Sequence, residues 1–226
     1  MRVMAFNGSP RKKWNTATLL EHALEGAASE GAETELVHLY DLDFKGCTSC
    51  FACKLRYAKS FGKCAMKDGL TPILDQVPKA GALILGSPIY WGTATGVMRM
   101  FMERLLFPFM TYDAENNILF RKKIPTGLIY TMNVPADQLQ RFGFDRTIEF
   151  DKRVMGMIFG ASETLLCTDT LQFEDYAKMA ASRFDPEKKA QRRKDVFPLD
   201  CQKARDMGAR FVRDRTIPGE TMGDRP

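Results

Sequence analysis

Arg2-Val3-Met4-Ala5-Phe6-Asn7-Gly8-Ser9-Pro10-Arg11-Lys12-Lys13-Trp14-Asn15-Thr16 begins with an apolar run, passes through a turn and enters a helix. Arg2–Asn7 reads as a short buried strand. In the following helix, Thr16–Ala28, the residues Leu19, Leu20, Ala23, Leu24 and Ala27 fall on one face, the recurrence of an amphipathic helix. Gly31 closes it as a cap, because glycine accepts the left-handed backbone there. In the loop between, Gly8 permits a tight turn. Ser9, Asn15 and Thr16 supply side-chain donors, Arg11 a forked cation, and the N–H groups at the helix start, through Ala17, point at any approaching anion. The loop has neither a Gly-rich dinucleotide fingerprint nor the Gly-Lys-Ser/Thr ending of a triphosphate loop. A single terminal phosphate is therefore the better-matched ligand. Read without a ligand, the same residues make an ordinary strand-to-helix turn capped by Asn15 or Thr16.

The alternation continues outward from this unit. Glu35–Tyr40 reads as the second strand and the all-apolar Ala82–Leu85 as a third, central one, since a strand covered on both faces loses its polar alternation. Ile124–Met132 and Ser162–Cys167 are the fourth and fifth. Asp68 caps a helix running to Gln76. Val97, Met98, Phe101, Met102, Leu105 and Leu106 mark a long helix after the third strand, and a loop and helix fill 136–158. Glu174–Arg183 and Pro198–Val212 read as closing helices with a basic hinge between them. The expected architecture is a three-layer α/β/α domain over 1–214, with a five-stranded parallel sheet and a Cys-rich insertion at 44–67. A polar tail, 215–226, follows.

Composition sets limits on function. The 226 residues are 45% hydrophobic and 27% charged, and the net charge of +5 comes from 33 Lys+Arg against 28 Asp+Glu. The positive excess is local, and no basic stripe with interleaved aromatics points to nucleic acid. The apolar stretches are too short to span a bilayer, and the N-terminus has no export-signal pattern, so a cytoplasmic protein is expected. His22 and His38 sit in separate regular elements, and no nucleophile–base pair suggests a hydrolase.

A second loop, Gly86-Ser87-Pro88-Ile89-Tyr90-Trp91-Gly92, directly follows the third strand. Pro88 and Gly92 shape the turn, while Tyr90 and Trp91 offer aromatic faces to a flat ring. They read equally as a packed surface pair. Four of the six cysteines are compressed into Cys47-x2-Cys50-x2-Cys53-x10-Cys64. Without an export signal, such a cluster suggests metal or redox chemistry before structural disulfides. Cys167 and Cys201 stand alone and read as small buried hydrophobes.

Gly8-Ser9-Pro10-Arg11 with Asn15-Thr16, together with Gly86-Ser87-Pro88-x-Tyr90, resembles the two flavin loops of the NAD(P)H-dependent FMN reductases, a branch of the flavodoxin-like superfamily. Trp14 stands where members of that family often have a small residue. The resemblance implies a sheet of strand order 2-1-3-4-5. It also implies FMN as cofactor, NAD(P)H as electron donor, and contacts from Ser9, Arg11, Asn15, Thr16, Ala17, Ser87, Pro88, Ile89, Tyr90, Trp91 and Gly92. A third loop after the fourth strand would add Thr131 and Asn133. Met98–Arg104 resembles the family's dimer-supporting helix, implying a homodimer or homotetramer. The cysteine order resembles that of the iron–sulfur flavoproteins of the same family, implying a 4Fe-4S cluster on Cys47, Cys50, Cys53 and Cys64; thiols without metal and a zinc site are the alternatives. The lysines and arginines around the cysteines would also suit an acidic electron carrier.

The function implied is electron transfer from reduced nicotinamide to a quinone, a flavin or a protein, with a small-molecule acceptor or acidic carrier as partner. A non-enzymatic flavoprotein fed by ferredoxin and a flavin-free zinc or partner-binding module are the competing readings.

Overall fold

The computed structural model describes residues 1–115 and 117–214; the tail expected at 215–226 lies outside the described residues. Five parallel strands form the sheet: β1 (Arg2–Asn7), β2 (Glu33–His38), β3 (Ala82–Tyr90), β5 (Thr126–Thr131) and β6 (Ser162–Cys167). Their spatial order is β2-β1-β3-β5-β6, and the two-residue β4 (Thr93–Ala94) pairs antiparallel with β3. Counting the parallel strands alone, this is the expected 2-1-3-4-5 order.

Alternate residues of the central strands feed two cores. Val3, Ala5, Ala82, Ile84 and Ile129 face α1 (Asn15–Ser29) and α6 (Phe197–Arg213). Met4, Phe6, Leu83, Leu85 and Leu128 face α3 (Gly96–Leu106) and α4 (Phe144–Phe159). Each of β1, β3 and β5 is thus buried on both faces, which is why none shows a polar alternation. Helices α1 and α6 cross so closely that a Cβ on Gly26 would overlap Arg205 O and one on Gly208 would overlap Ala23 O. On the opposite face, Tyr130 Oη donates to Asp151 Oδ2 (2.8 Å), and Asp151 also pairs with Arg99 (2.7 Å), tying β5, α4 and α3 together.

Three local expectations differ. The helix starting near Asp68 is reduced to α2 (Thr71–Leu74) and a 3-10 turn at Val77–Lys79. Asp68 Oδ1 still accepts from Leu70 N (3.1 Å), but Pro72 and Pro78 enter at helix starts and keep both pieces short. Glu174–Arg183 forms only a 3-10 turn at Tyr176–Lys178. The expected basic hinge is instead α5 (Pro186–Asp195). Asp185 caps it by accepting from Glu187 N (3.0 Å) and Lys188 N (3.2 Å), Pro186 sits in its first turn, and Arg192, Arg193 and Lys194 occupy its last, where cations favour the helix dipole. Among the described residues no helix is long and apolar enough to cross a membrane.

Candidate functional site

The tips of β1 and β3 are bound to each other. Gly8 N donates to Gly86 O (2.8 Å), and Thr95, the N-cap of α3, donates its hydroxyl to Gly8 O (2.7 Å) while its own N–H bonds Ser87 Oγ (3.0 Å). A Cβ on Gly8 would stand 2.8 Å from Met98 Cβ, so only glycine lets the first loop lie this close to α3. The two turns singled out in the sequence are therefore neighbours.

Within the first loop, Asn7 Oδ1 accepts from Ser9 N (3.0 Å) and Ser9 Oγ from Arg11 N (3.1 Å). The first bond closes an Asx turn, and the Ser9 hydroxyl proton stays available to donate. Neither Asn15 nor Thr16 caps α1. Asn15 Nδ2 donates to Leu171 O (3.0 Å) and its Oδ1 accepts from Arg193 Nη1 (2.6 Å), while Thr16 Oγ1 bonds Thr131 Oγ1 (2.8 Å). The cap position falls to Trp14, which offers no side-chain cap. The first-turn amides of α1 thus lack the usual side-chain acceptor. Trp14 Nε1 is buried and also has no partner. Unmatched donors converging on one turn are the arrangement that receives an anion.

The second loop is not a loop throughout. β3 runs on through Ser87–Tyr90 and returns through β4 as a hairpin. Its two turn residues, Trp91 and Gly92, have φ of +50° and +83°, the double left-handed pattern of a tight hairpin turn. Glycine adopts it freely, whereas tryptophan is strained there. Trp91 is fully exposed and Tyr90 half-exposed.

A cleft enclosing about 120 Å³ gathers Ser9, Arg11, Asn15, Thr16, Pro88, Ile89, Tyr90, Thr131 and Asn133 with Trp14, Met132, Thr170 and Gln172. Of the expected contacts, Ala17 and Ser87 are buried behind it, and Trp91 and Gly92 form the hairpin tip beyond it. Arg11 packs over the Trp14 ring (4.0 Å) and donates to Gln172 O (2.8 Å), so it clamps the loop to the segment after β6.

Sequence reasoning missed the contribution of α5. The buried Lys189 pairs with Asp169 and bonds Asn133, and Arg193 reaches Asn15. Burial pulls the Arg193 pKa below its usual value. The Asp185-Pro186 start and the basic last turn were the legible sign of this helix. Cys167 and Cys201 are buried as expected, but Cys167 is not merely apolar filling: its thiol donates to Asp200 Oδ2 (3.3 Å).

A second centre forms around the clustered cysteines. Cys47, Cys50, Cys53 and Cys64 all line one small pocket with Phe51, Met66, Glu103 and Arg104. Two non-glycine residues of this loop, Ser49 and Phe51, are held at positive φ (+53° and +55°), strain of a kind that concentrates at functional loops. Glu103 Oε2 accepts from Cys47 N (2.9 Å), and Arg104 Nε donates to Cys64 Sγ (3.3 Å). Burial pushes the Cys53 thiol up, against the pull of Lys54, with Cys50 and Cys47 adding to the rise. Burial likewise lowers Lys54, whose ammonium bonds Phe107 O and Met110 O. Burial works against ionisation of Asp68, but its hydrogen bond and ion pair with Arg104 outweigh it and hold the carboxyl below the usual range. Among the described residues no three His, Cys, Asp or Glu side chains are grouped as a metal ion requires.

Comparison with known proteins places this architecture. The family model described as NADPH-dependent FMN reductase matches residues 1–132. An iron-sulfur flavoprotein of Archaeoglobus fulgidus is 34% identical over 128 residues, covering 57% of this chain and 60% of that protein. Another, of Methanocaldococcus jannaschii, is 38% identical over 104 residues, covering 46% of this chain and 51% of that protein. The chain spans about half the length of the curated relatives it matches. Among solved structures, an NAD(P)H:quinone oxidoreductase from Methanothermobacter marburgensis superposes with a TM-score of 0.66 at 15% identity, over 93% of this chain and 96% of that one. An FMN-dependent NADH-azoreductase of Bacillus anthracis, solved with FMN, gives 0.63 at 12% identity, over 94% and 100%. At such identities the likeness establishes the fold, which is flavodoxin-like.

Proposed function

The chain belongs to the NADPH-dependent FMN reductase family, and from that premise we propose that it holds FMN across the turns at the tips of β1 and β3 and carries electrons from NADPH or NADH to a quinone, a flavin or a protein acceptor. One observation carries this reading: the bond between Gly8 N and Gly86 O, reinforced by Thr95, fixes an uncapped helix start beside an aromatic hairpin. That pairing suits a molecule with an anionic end and a flat end.

The residues present fit the cofactor. The first-turn amides of α1, the Ser9 hydroxyl and the unpartnered Trp14 Nε1 would receive the phosphate. Arg193, brought in by α5, places a cation behind Asn15, and Lys189, paired with Asp169, fixes Asn133. Pro88, Ile89 and Tyr90 would form one wall for the ring, with Thr131 and Asn133 opposite. The Thr16–Thr131 bond holds the two sides in register. Bound FMN supplies exchange between a two-electron donor and one- or two-electron acceptors. The chain's task is to orient the ring and leave one face open to the nicotinamide, which demands no side-chain acid or base. A homodimer or homotetramer belongs to the same reading, because it would cover the exposed Trp91 and Phe142.

The reading extends to a 4Fe-4S cluster on Cys47, Cys50, Cys53 and Cys64. Its support is four soft cysteine side chains lining one pocket, not drawn together as a bound cluster would hold them, with Arg104 and Lys54 against the sulfurs to offset the negative charge a cluster would bring. The names of the relatives point the same way.

Anaerobic stopped-flow absorbance of FMN-loaded protein tests the first part. The flavin bands should bleach with NADPH or NADH; bleaching by reduced ferredoxin or dithionite alone would overturn the enzyme reading in favour of a carrier flavoprotein. Iron and sulfide analysis of anaerobically prepared protein tests the second. Four irons per chain, lost on Cys53→Ser, are expected, and iron-free protein with intact FMN binding would remove the cluster and leave the flavin claim standing.

A further inference from the structure

A cavity of about 470 Å³ opens between the C-terminal end of α3 and the segments 71–78 and 119–122, and shares no lining residue with the FMN cleft. Its volume lies within the usual range for small-molecule sites. Leu74, Val77, Leu105, Phe109, Leu119 and Phe120 make an apolar wall. Four basic residues, Lys63, Arg104, Arg121 and Lys122, also line it, against the single carboxylate of Asp75. Lys122 is tied to Pro78 O (2.7 Å). Lys63 and Arg121 are exposed at the rim and, among the described residues, pair with no carboxylate.

Arg104 is the unusual member. Its side chain is 0% exposed. Nη1 serves Asp68 and Lys45 O, and Nε serves Cys64, yet Nη2 is buried with no partner. A buried donor left unmatched bears its desolvation cost without return, the more so when it is charged, so such groups are few in native proteins.

We propose that this cavity is a second ligand site, for a flat monoanion with an apolar body such as an aromatic carboxylate. Its ring lies among Leu74, Val77, Phe109 and Phe120, and its carboxylate meets the cations Lys63, Arg121 and Lys122, with Arg104 Nη2 closed off behind the cavity wall. Cys64, Arg104 and Pro108 line both this cavity and the cysteine pocket, so the ligand shares a wall with that centre.

The test is calorimetric titration with 2-naphthoate and its uncharged analogue 2-naphthamide, with and without FMN present. One naphthoate per chain should bind at least tenfold more tightly than the amide, unchanged by FMN. Leu74→Trp, which fills the cavity from a half-buried position, should weaken naphthoate at least tenfold without altering the FMN titration. The exposed pair Lys63→Gln/Arg121→Gln, which carries little folding risk, should weaken naphthoate about fivefold and leave naphthamide unchanged. Equal affinity for the two probes, displacement of naphthoate by FMN, or indifference to both variants would overturn the proposal.

Discussion

Asp68→Asn should lower the melting temperature by about 5–10 °C, and the figure follows from what surrounds Arg104. Asp68 is the carboxylate partner of a guanidinium that is 0% exposed, and is itself 18% exposed. Asparagine keeps the acceptor for Leu70 N, so the local turn survives. What disappears is the negative charge on a buried cation. Breaking a buried pair from one side costs about 3–5 kcal/mol. Here Arg104 retains Lys45 O and Cys64 Sγ, which places the loss near the lower limit, at about 2–3 kcal/mol. For a chain of this length each kcal/mol moves the midpoint by about 2–4 °C. Circular-dichroism melts of both proteins read the difference, with Glu163→Gln as reference. Its pair with Arg210 has side chains 45% and 39% exposed, and such a pair contributes under about 1 kcal/mol. The pH dependence gives a second reading. Arg104 holds the folded Asp68 pKa below its ordinary value. The stabilisation is therefore complete above the ordinary carboxylate pKa and lost as pH falls through the folded value. The gap between wild type and variant should hold steady well above the ordinary carboxylate pKa and close as pH falls below it. A melt within about 2 °C of wild type at neutral pH, or a gap that persists in acid, would refute the reasoning.

Trp14→Phe keeps the ring under Arg11 but removes the unpartnered indole N–H; FMN affinity measured by fluorescence quenching should fall about five- to tenfold, while the flavin-free melt should stay within about 1 °C. Trp91→Asn relieves a bulky residue from left-handed backbone at the hairpin tip and should stabilise the flavin-free chain by about 1 kcal/mol in urea titrations. Iodoacetamide at mildly alkaline pH should modify the exposed Cys47 and Cys50 of metal-free protein and spare Cys167, whose thiol burial, with Asp200 beside it, pushes up to about 12; early modification of Cys167 in a peptide map would contradict that placement.

The fold was legible because its signals were local and strong. Val3–Phe6 and Ala82–Leu85 are apolar without interruption, and the helix between them is amphipathic, so a parallel sheet followed from chemistry a few residues wide, while its strand order came from the family resemblance. The turns after β1 and β3 were equally readable, since each joins a buried strand to Gly, Ser and Pro. What escaped notice was what distance assembles. Asn15 looked like a cap, but Leu171 O and Arg193, far away in sequence, occupy its side chain. The run Lys188–Lys194 looked like a hinge because its charge masked a capped helix whose one buried side chain, Lys189, is itself a cation. Nothing in the neighbours of Arg104 along the chain marks it as fully buried.

Arg104 also explains how the two centres are held relative to one another. Thr95 at the start of α3 joins the turns after β1 and β3 by bonding Gly8 O and Ser87 Oγ. Near the other end of the same helix, Glu103 takes the N–H of Cys47 and Arg104 takes Cys64, so consecutive side chains grip both ends of the cysteine loop. Nine residues of helical rise separate Thr95 from Arg104, about 14 Å. Phe101, fully buried between them and packed on Phe6 with ring centroids 4.5 Å apart, fixes the helix against β1. The spacing of the cleft at the strand tips and the cysteine pocket is therefore set by one helix rather than by the loops that line them. Those loops can then tolerate the strained backbone at Ser49, Phe51 and Trp91, because the element that positions them lies in the core and is anchored at both ends.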